Sequence, residues 1–247
     1  MTSRVTIAGL GLIGGSIGKA LRARGWHVSY VDPAVSIEDA RAAGAADERL
    51  DEVRGDFVVI ATPVDAAISL IPAISASCVT SVCSVMAPLR AAARGESFVA
   101  GHPFSGSERS GLGAADGELF KDHPWFIDRD DEQVRILIRD CGADAIVIDG
   151  AEHDRVLAMT SHLPQIVSTA LASLIADVDP KLIGPGARSM LRLAGSSHDV
   201  WRPVLEANRE HVDHAARELI AIISTLNETD FERARGVWER LRVTRDA

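Results

Sequence analysis

The chain has 247 residues, a formal net charge of -9 and three cysteines. That length accommodates two domains with a cleft between them. The acidic balance, with no dense block of Lys or Arg, argues against nucleic acid or an anionic membrane as the main partner. Cys78, Cys83 and Cys141 make no metal-like pattern with histidine and lie in or beside apolar segments, as buried reduced thiols do. Met1 leads straight into the first predicted strand, leaving no room for a signal peptide, and no apolar run approaches a membrane span. The expected compartment is the cytoplasm.

Residues 4–16, RVTIAGLGLIGGS, pass from a short apolar strand through Gly9, Gly11 and Gly14 at G-x-G-x-x-G spacing into a helix-compatible run over 13–24, with Leu12 and Ile13 of the same loop also expected against the cofactor. A dinucleotide pyrophosphate needs backbone N–H groups aimed at it and no Cβ in its way, at the positive end of a helix. Gly9 is expected to permit the tight turn, Gly11 the close approach and Gly14 the helix-to-strand contact. A second apolar run, 27–31, ends in Asp32, placed to hydrogen-bond a ribose 2′-hydroxyl and to repel a 2′-phosphate. The cofactor expected is therefore NAD rather than NADP.

Further along, 36–46 has helical composition, 56–62 (DFVVIAT) reads as a buried strand closed by Pro63, and 64–76 as a helix with an irregularity at Pro72. Strands are predicted at 78–85, 98–101, 125–128 and 145–148, with a helix over 132–141. This alternation predicts a doubly wound α/β domain over 1–150. From residue 151 strands vanish. Residues 156–176 are apolar on nearly every face, so they predict a buried spine kinked at Pro164, with 204–226 and 231–241 packed around it. A monomer would expose too much of that spine, which predicts a homodimer through an all-helical domain over 151–247.

In a doubly wound sheet the ligand lies at the carboxyl ends of the strands. Thr62 and Pro63, the stretch 84–86, and the polar loop HPFSGSERSG beginning at His102 all fall there. The second domain offers HDRVLAMTSHLPQ, in which His153 and His162 are nine residues apart and would point about 180° from each other on a regular helix, so they need not share a site. Arg188 and Arg192, four apart, would share a helix face ahead of Trp201. Neither a zinc motif nor a G-x-S-x-G nucleophile elbow is present, so no metal is expected.

The glycine loop, HPFSGSERSG, HDRVLAMTSHLPQ and the segment 192–201, in this order, resemble the prephenate and arogenate dehydrogenase family of tyrosine biosynthesis. The resemblance implies a Rossmann-type dinucleotide domain followed by an all-α dimerisation domain, and an oxidative decarboxylation in which a cyclohexadienol loses hydride from C4 to NAD and CO₂ from C1. By motif position His102 would be the general base, a role worth roughly 10²–10⁴-fold in rate. Ser84 would hydrogen-bond the same C4 oxygen. His162 and Arg192 would hold the substrate's anionic groups, Glu108 would stand at the pocket mouth and Trp201 would wall it. The chain departs from the family pattern at Ser81 and Met86, where an acid and a lysine are usual, at Gln165, where histidine is common, and at Ser189, where an aspartate often stands. Those departures leave prephenate, arogenate or the 4-amino analogue of prephenate open as substrate. Two further readings stand beside the enzyme: an inactive NAD-binding or sensing protein, and a different NAD(P)-dependent reductase of the hydroxyacid or imine kind.

Overall fold

The computed structural model describes residues 3–93, 95, 97–106 and 109–245. It opens with β1 (Arg4–Ala8), α1 (Leu12–Ala23), β2 (His27–Val31), α2 (Ile37–Ala42), β3 (Glu48–Arg49), β4 (Phe57–Ile60), α3 (Val64–Leu70), β5 (Cys78–Ser81), α4 (Ala87–Ala92) and β6 (Phe98–Val99). The six strands form one parallel sheet in the order β3-β2-β1-β4-β5-β6. The chain reverses direction across the sheet between β1 and β4, the point at which such sheets open a crevice for ligands. Pro72 falls in a short 3-10 turn (Ile71–Ala73) that closes α3, the irregularity its missing N–H demands.

Alternation along the strands gives each face its own core. On β4, Val59 packs with Ile7, Ile17 and Leu21 on one face, while Val58 and Ile60 pack with Val64 and Leu89 on the other. The second cluster also takes Val204 and Trp201 from the carboxyl-terminal half, so the helices lean directly on the sheet domain.

The predicted strand 98–101 is two strands. After β6 the chain leaves the parallel sheet and begins β7 (Gly101–Pro103), which pairs antiparallel with β8 (Pro124–Ile127), itself parallel to β9 (Asp144–Val147). The expected continuous sheet is therefore a sheet of six strands and a separate sheet of three. The crossing point is crowded: a Cβ on Gly101 would lie 2.7 Å from the Ser81 carbonyl oxygen. The Gly101 N–H donates to Ser81 Oγ at 3.3 Å, and the Ala100 N–H to Asp128 Oδ1 at 2.9 Å. Arg90 clamps the same Asp128 carboxylate with two hydrogen bonds. The helix α5 (Glu132–Asp140), capped by the Asp131 carboxylate, lies between β8 and β9.

All-helical structure follows: α6 (Gly150–Leu157), α7 (Leu163–Leu174), α8 (Pro185–Met190), α9 (His198–Ala207), α10 (Arg209–Ser224) and α11 (Glu228–Arg245). The predicted single spine over 156–176 is interrupted by one π-helical turn, Ala158–His162, in which the Leu163 N–H donates to the Ala158 carbonyl five residues back. Pro164 explains the widening. It has no N–H to give, and its ring would press on the carbonyl four residues earlier in a regular helix. The expectation that 231–241 packs around the spine is not met within one chain: Phe231, Trp238 and Leu241 on α11 are all exposed. Leu174, Leu182 and Ile223 are exposed as well. Among the described residues, no helix is long and apolar enough to cross a membrane.

Candidate active site

At the β1–β4 crevice the glycine loop takes the form its sequence predicts. Gly9 has φ +90°, and a Cβ there would lie 2.6 Å from the Ala61 carbonyl oxygen. A Cβ on Gly14 would run into the Gly9 carbonyl oxygen, so α1 can approach β1 only with glycine at that position. Gly11 faces open space. Behind it α1 begins with Leu12 and Ile13, with neither a side-chain cap nor an acid in its first turn, which leaves its first N–H groups free to receive an anion. Asp32 lies just beyond β2; its Oδ2 accepts the Leu10 N–H at 2.7 Å and its Oδ1 the Ala34 N–H at 2.8 Å. Across the crevice Pro63 caps α3, and Thr62 Oγ1 is buried without a hydrogen-bond partner among the described residues. An open cradle, an uncapped helix start and an unpaired hydroxyl are what a bound dinucleotide would complete.

His102 sits on strand β7 rather than in the loop beyond it, opposite Phe126 of β8. Its Nδ1 lies 3.0 Å from His153 Nε2, and His153 Nδ1 lies 2.8 Å from Asp154 Oδ1. The Asp154 carboxylate also accepts the Met86 N–H at 2.8 Å and the Ala87 N–H at 2.9 Å, where the 84–86 turn enters α4. One buried acid of the helical half therefore fastens the Ser84 turn and, through His153, the His102 ring. Ser84 is half-buried and makes no hydrogen bond among the described residues. Burial among protein atoms, helped by the neighbouring imidazoles of His153 and His162, pushes the His102 pKa down to about 3. The ring is held neutral, as a proton acceptor must be.

His162 joins the same cluster, contrary to the expectation from helical spacing. A π turn advances less angle per residue than an α turn, so the two histidines come round toward each other. Asn208 closes the link, its Nδ2 lying 2.7 Å from the Asp154 carbonyl and 3.1 Å from His162 Nδ1. Burial lowers the His162 pKa to about 4, with the Asp154 charge opposing the shift. His162 Nε2 has no partner among the described residues, and the Trp201 ring stands edge-on at 6.0 Å. Along α7, Gln165 and Ser168 continue the buried polar row begun by His162; Gln165 Oε1 and Ser168 Oγ are likewise unpartnered.

Arg192 lies exposed on a 3-10 turn, Leu191–Gly195, and makes no ion pair among the described residues. Gln165 Nε2 donates to the Leu193 carbonyl at 2.9 Å, which ties that turn to α7. Arg188 does not share a helix face with Arg192; α8 ends between them, and Arg188 binds the Ile183 and Pro180 carbonyls instead. Ser81 and Met86 are both fully buried, in a hydroxyl contact and an apolar cluster respectively, so the charge pair expected of the family is replaced by ordinary core contacts. Glu108 lies outside the described residues. Sequence reasoning missed Asp154 and Asn208. The signal for the first was an acid directly after a histidine in the HDRVLAMTSHLPQ motif, two residues ahead of the apolar spine; the second carried none.

Two family models match the chain: "Prephenate dehydrogenase, nucleotide-binding domain" over residues 17–144 and "Prephenate dehydrogenase, dimerization domain" over 149–241. Prephenate dehydrogenase of Lactococcus lactis subsp. cremoris is 26% identical, with 99% of this chain and 79% of that protein aligned. Among solved structures, prephenate dehydrogenase from A. aeolicus in complex with hydroxyphenyl propionate and NAD+ superposes with a TM-score of 0.81 at 26% identity, covering 99% of this chain and 98% of that one. Synechocystis arogenate dehydrogenase gives 0.75 at 25% identity, covering 98% and 99%. With both halves matched in order, the chain belongs to the prephenate dehydrogenase family.

Proposed function

We propose that this chain is an NAD-dependent dehydrogenase that oxidatively decarboxylates a cyclohexadienyl substrate, prephenate or arogenate, with His102 as general base. The observation that carries the reading is a neutral histidine where the two halves meet, with one ring nitrogen tied to protein and the other free of protein hydrogen bonds among the described residues. NAD, when bound, supplies the hydride acceptor; Gly9, Gly11, Leu12, Ile13 and Gly14 would receive its pyrophosphate, Asp32 its ribose, and Thr62 and Pro63 would border it.

His102 Nε2 takes the C4 hydroxyl proton as hydride departs, and Ser84 holds the same oxygen. The C1–carboxylate bond then breaks, CO₂ leaves, and the bonding electron pair enters the ring. The ring becomes aromatic, with the proton returned to the C4 oxygen. His162 offers to an anionic group a nitrogen that has no partner among the described residues. Arg192 offers a bidentate fork to a second, which lysine could not reproduce, and Trp201 walls the pocket. Glu108 is assigned to the mouth by its motif position.

Support for a nucleotide domain over 1–150 and a helical domain over 151–247 comes from the gap between the two matched stretches. Support for a homodimer comes from the family description of the second stretch and the exposed apolar helices. Three free buried thiols fit a reducing cytoplasm. The test is NADH formation from prephenate and from arogenate by wild type and His102→Asn. We expect turnover with at least one substrate, and a loss of roughly 10²–10⁴-fold in the variant with NAD affinity retained. Unchanged turnover in the variant would remove His102 as base.

A further inference from the structure

Asp154 is 1% exposed, His153 is fully buried, and the two are joined to four other groups by short hydrogen bonds. We infer that Asp154 is the hub of a positioning network that gives the two site histidines opposite tautomers, His102 presenting a bare acceptor nitrogen and His162 a donor N–H. His153, Asp154 and Asn208 are thus positioning residues. The inference deepens the dehydrogenase reading above, since it explains how His102 comes to be a base and His162 an anion holder.

The assignment follows from which atoms can donate. The Asp154 carboxylate spends Oδ1 on the Met86 N–H and Oδ2 on the Ala87 N–H, and has only acceptor capacity for its third neighbour. His153 Nδ1 must therefore carry the proton in that contact. In a neutral imidazole the other nitrogen is then an acceptor, so His153 Nε2 receives a proton shared from His102 Nδ1. That leaves His102 Nε2 unprotonated and available. On the opposite side, the Asp154 carbonyl can only accept, which fixes the Asn208 amide with Nδ2 toward it. The same Nδ2 faces His162 Nδ1, making that nitrogen the acceptor. The His162 proton is then on Nε2, the buried nitrogen that has no partner among the described residues. A donor in that position pairs with a carboxylate or carbonyl oxygen of the ligand, while an acceptor would repel it. One residue thus acts through its side chain on the base and through its main chain on the anion holder.

The experiment is long-range ¹H–¹⁵N correlation on full-length protein labelled with ¹⁵N at histidine, with His102 and His162 assigned by loss of signal in His102→Asn and His162→Asn. The expected result for wild type is a pyrrole-type Nδ1 and pyridine-type Nε2 for His102, and the reverse for His162. The opposite pattern at either ring overturns the proposal. Asp154→Asn places an amide donor in the hub and should move the His102 proton toward Nε2 and lower kcat by roughly 10²–10⁴-fold, the range for loss of general base catalysis, with KM for NAD nearly unchanged. His153→Leu spares the carboxylate's bonds to Met86 and Ala87 and should give the same loss of kcat, with an unchanged circular dichroism spectrum and retained NAD binding confirming that the variant is folded. His153→Gln, which can accept from His102 and donate to Asp154, should recover part of it. Wild-type kcat in both Asp154→Asn and His153→Leu overturns the hub. Because the tautomers are read without substrate, failure of every cyclohexadienyl compound to turn over would defeat the dehydrogenase reading and leave the tautomer result to be judged separately.

Discussion

A methyl group added at Gly11 meets nothing within 4 Å, whereas one added at Gly14 collides with the Gly9 carbonyl oxygen. The two glycines of one loop are therefore constrained differently: Gly14 is required by the fold, while Gly11 is not and is left to the proposed ligand. Gly11 has φ -76° and ψ -151°, a conformation open to alanine, so Gly11→Ala should leave thermal stability within about 0.5 kcal/mol yet weaken NAD binding by about tenfold or more, a loss of roughly 1.4 kcal/mol. Gly14→Ala should destabilise the apo protein by about 1–3 kcal/mol through overpacking. Melting curves with and without NAD separate the two. At this scale the sequence was highly informative for the cofactor loop, because spacing between glycines is itself the geometry. It was less so for the polar cluster. Asp154 and Asn208 act through atoms whose partners are remote in sequence, Met86 and His162 among them, and no local pattern announces a contact across such a separation.

Helical spacing predicted that His153 and His162 would diverge, and the reason they meet is a single turn. Ala158–His162 is π-helical, one residue longer than the α turn it replaces, and such turns are stable where a neighbour or a proline prevents the regular ladder. The kink at Pro164 was legible; that it would be absorbed as a widened turn was not, since both outcomes relieve the same clash. Met159 on this turn is exposed. Deleting it together with Pro164→Ala should restore an α turn, keep helical content by circular dichroism, and raise KM for substrate at least about tenfold as His162 leaves Asn208. Unchanged KM would mean that the turn does not set the position of His162. The strand prediction erred for a similar reason. Phe98 to Gly101 is continuously apolar or small, so nothing in the pattern marks Ala100 as the residue where the chain changes sheets; the crowding around Gly101 and the grip of Asp128 decide it.

The molecule as a whole divides as its composition suggests, with alternating strand and helix patterns giving the sheet domain and the strandless remainder giving helices. Burial in the helical half runs opposite to a solitary domain. The polar row that starts at His162 on the π turn and continues through Gln165 and Ser168 on α7 is buried, while Leu174 at the end of α7 is 81% exposed. Ile223 on α10 is 64% exposed and Trp238 on α11 is 58% exposed. Exposed apolar surface of this extent marks an association face. Light scattering should give twice the chain mass of 26.3 kDa, and Leu174→Lys or Ile223→Lys should lower it toward the single chain while NAD binding persists. A wild-type mass equal to one chain at micromolar concentration would refute the homodimer.

The inverted α7 has a consequence in the thermodynamics of assembly. Under the proposed function, α7 would turn its buried polar row toward substrate and its exposed apolar end toward a second chain, so the two binding events would share one rigid element. Whatever factor the ligand applies to the association constant, association must apply to the ligand's affinity, because the two routes to the liganded pair close a cycle. Substrate affinity in this protein should then depend on protein concentration through the dissociation range, and mass action would make dilution an inhibitor.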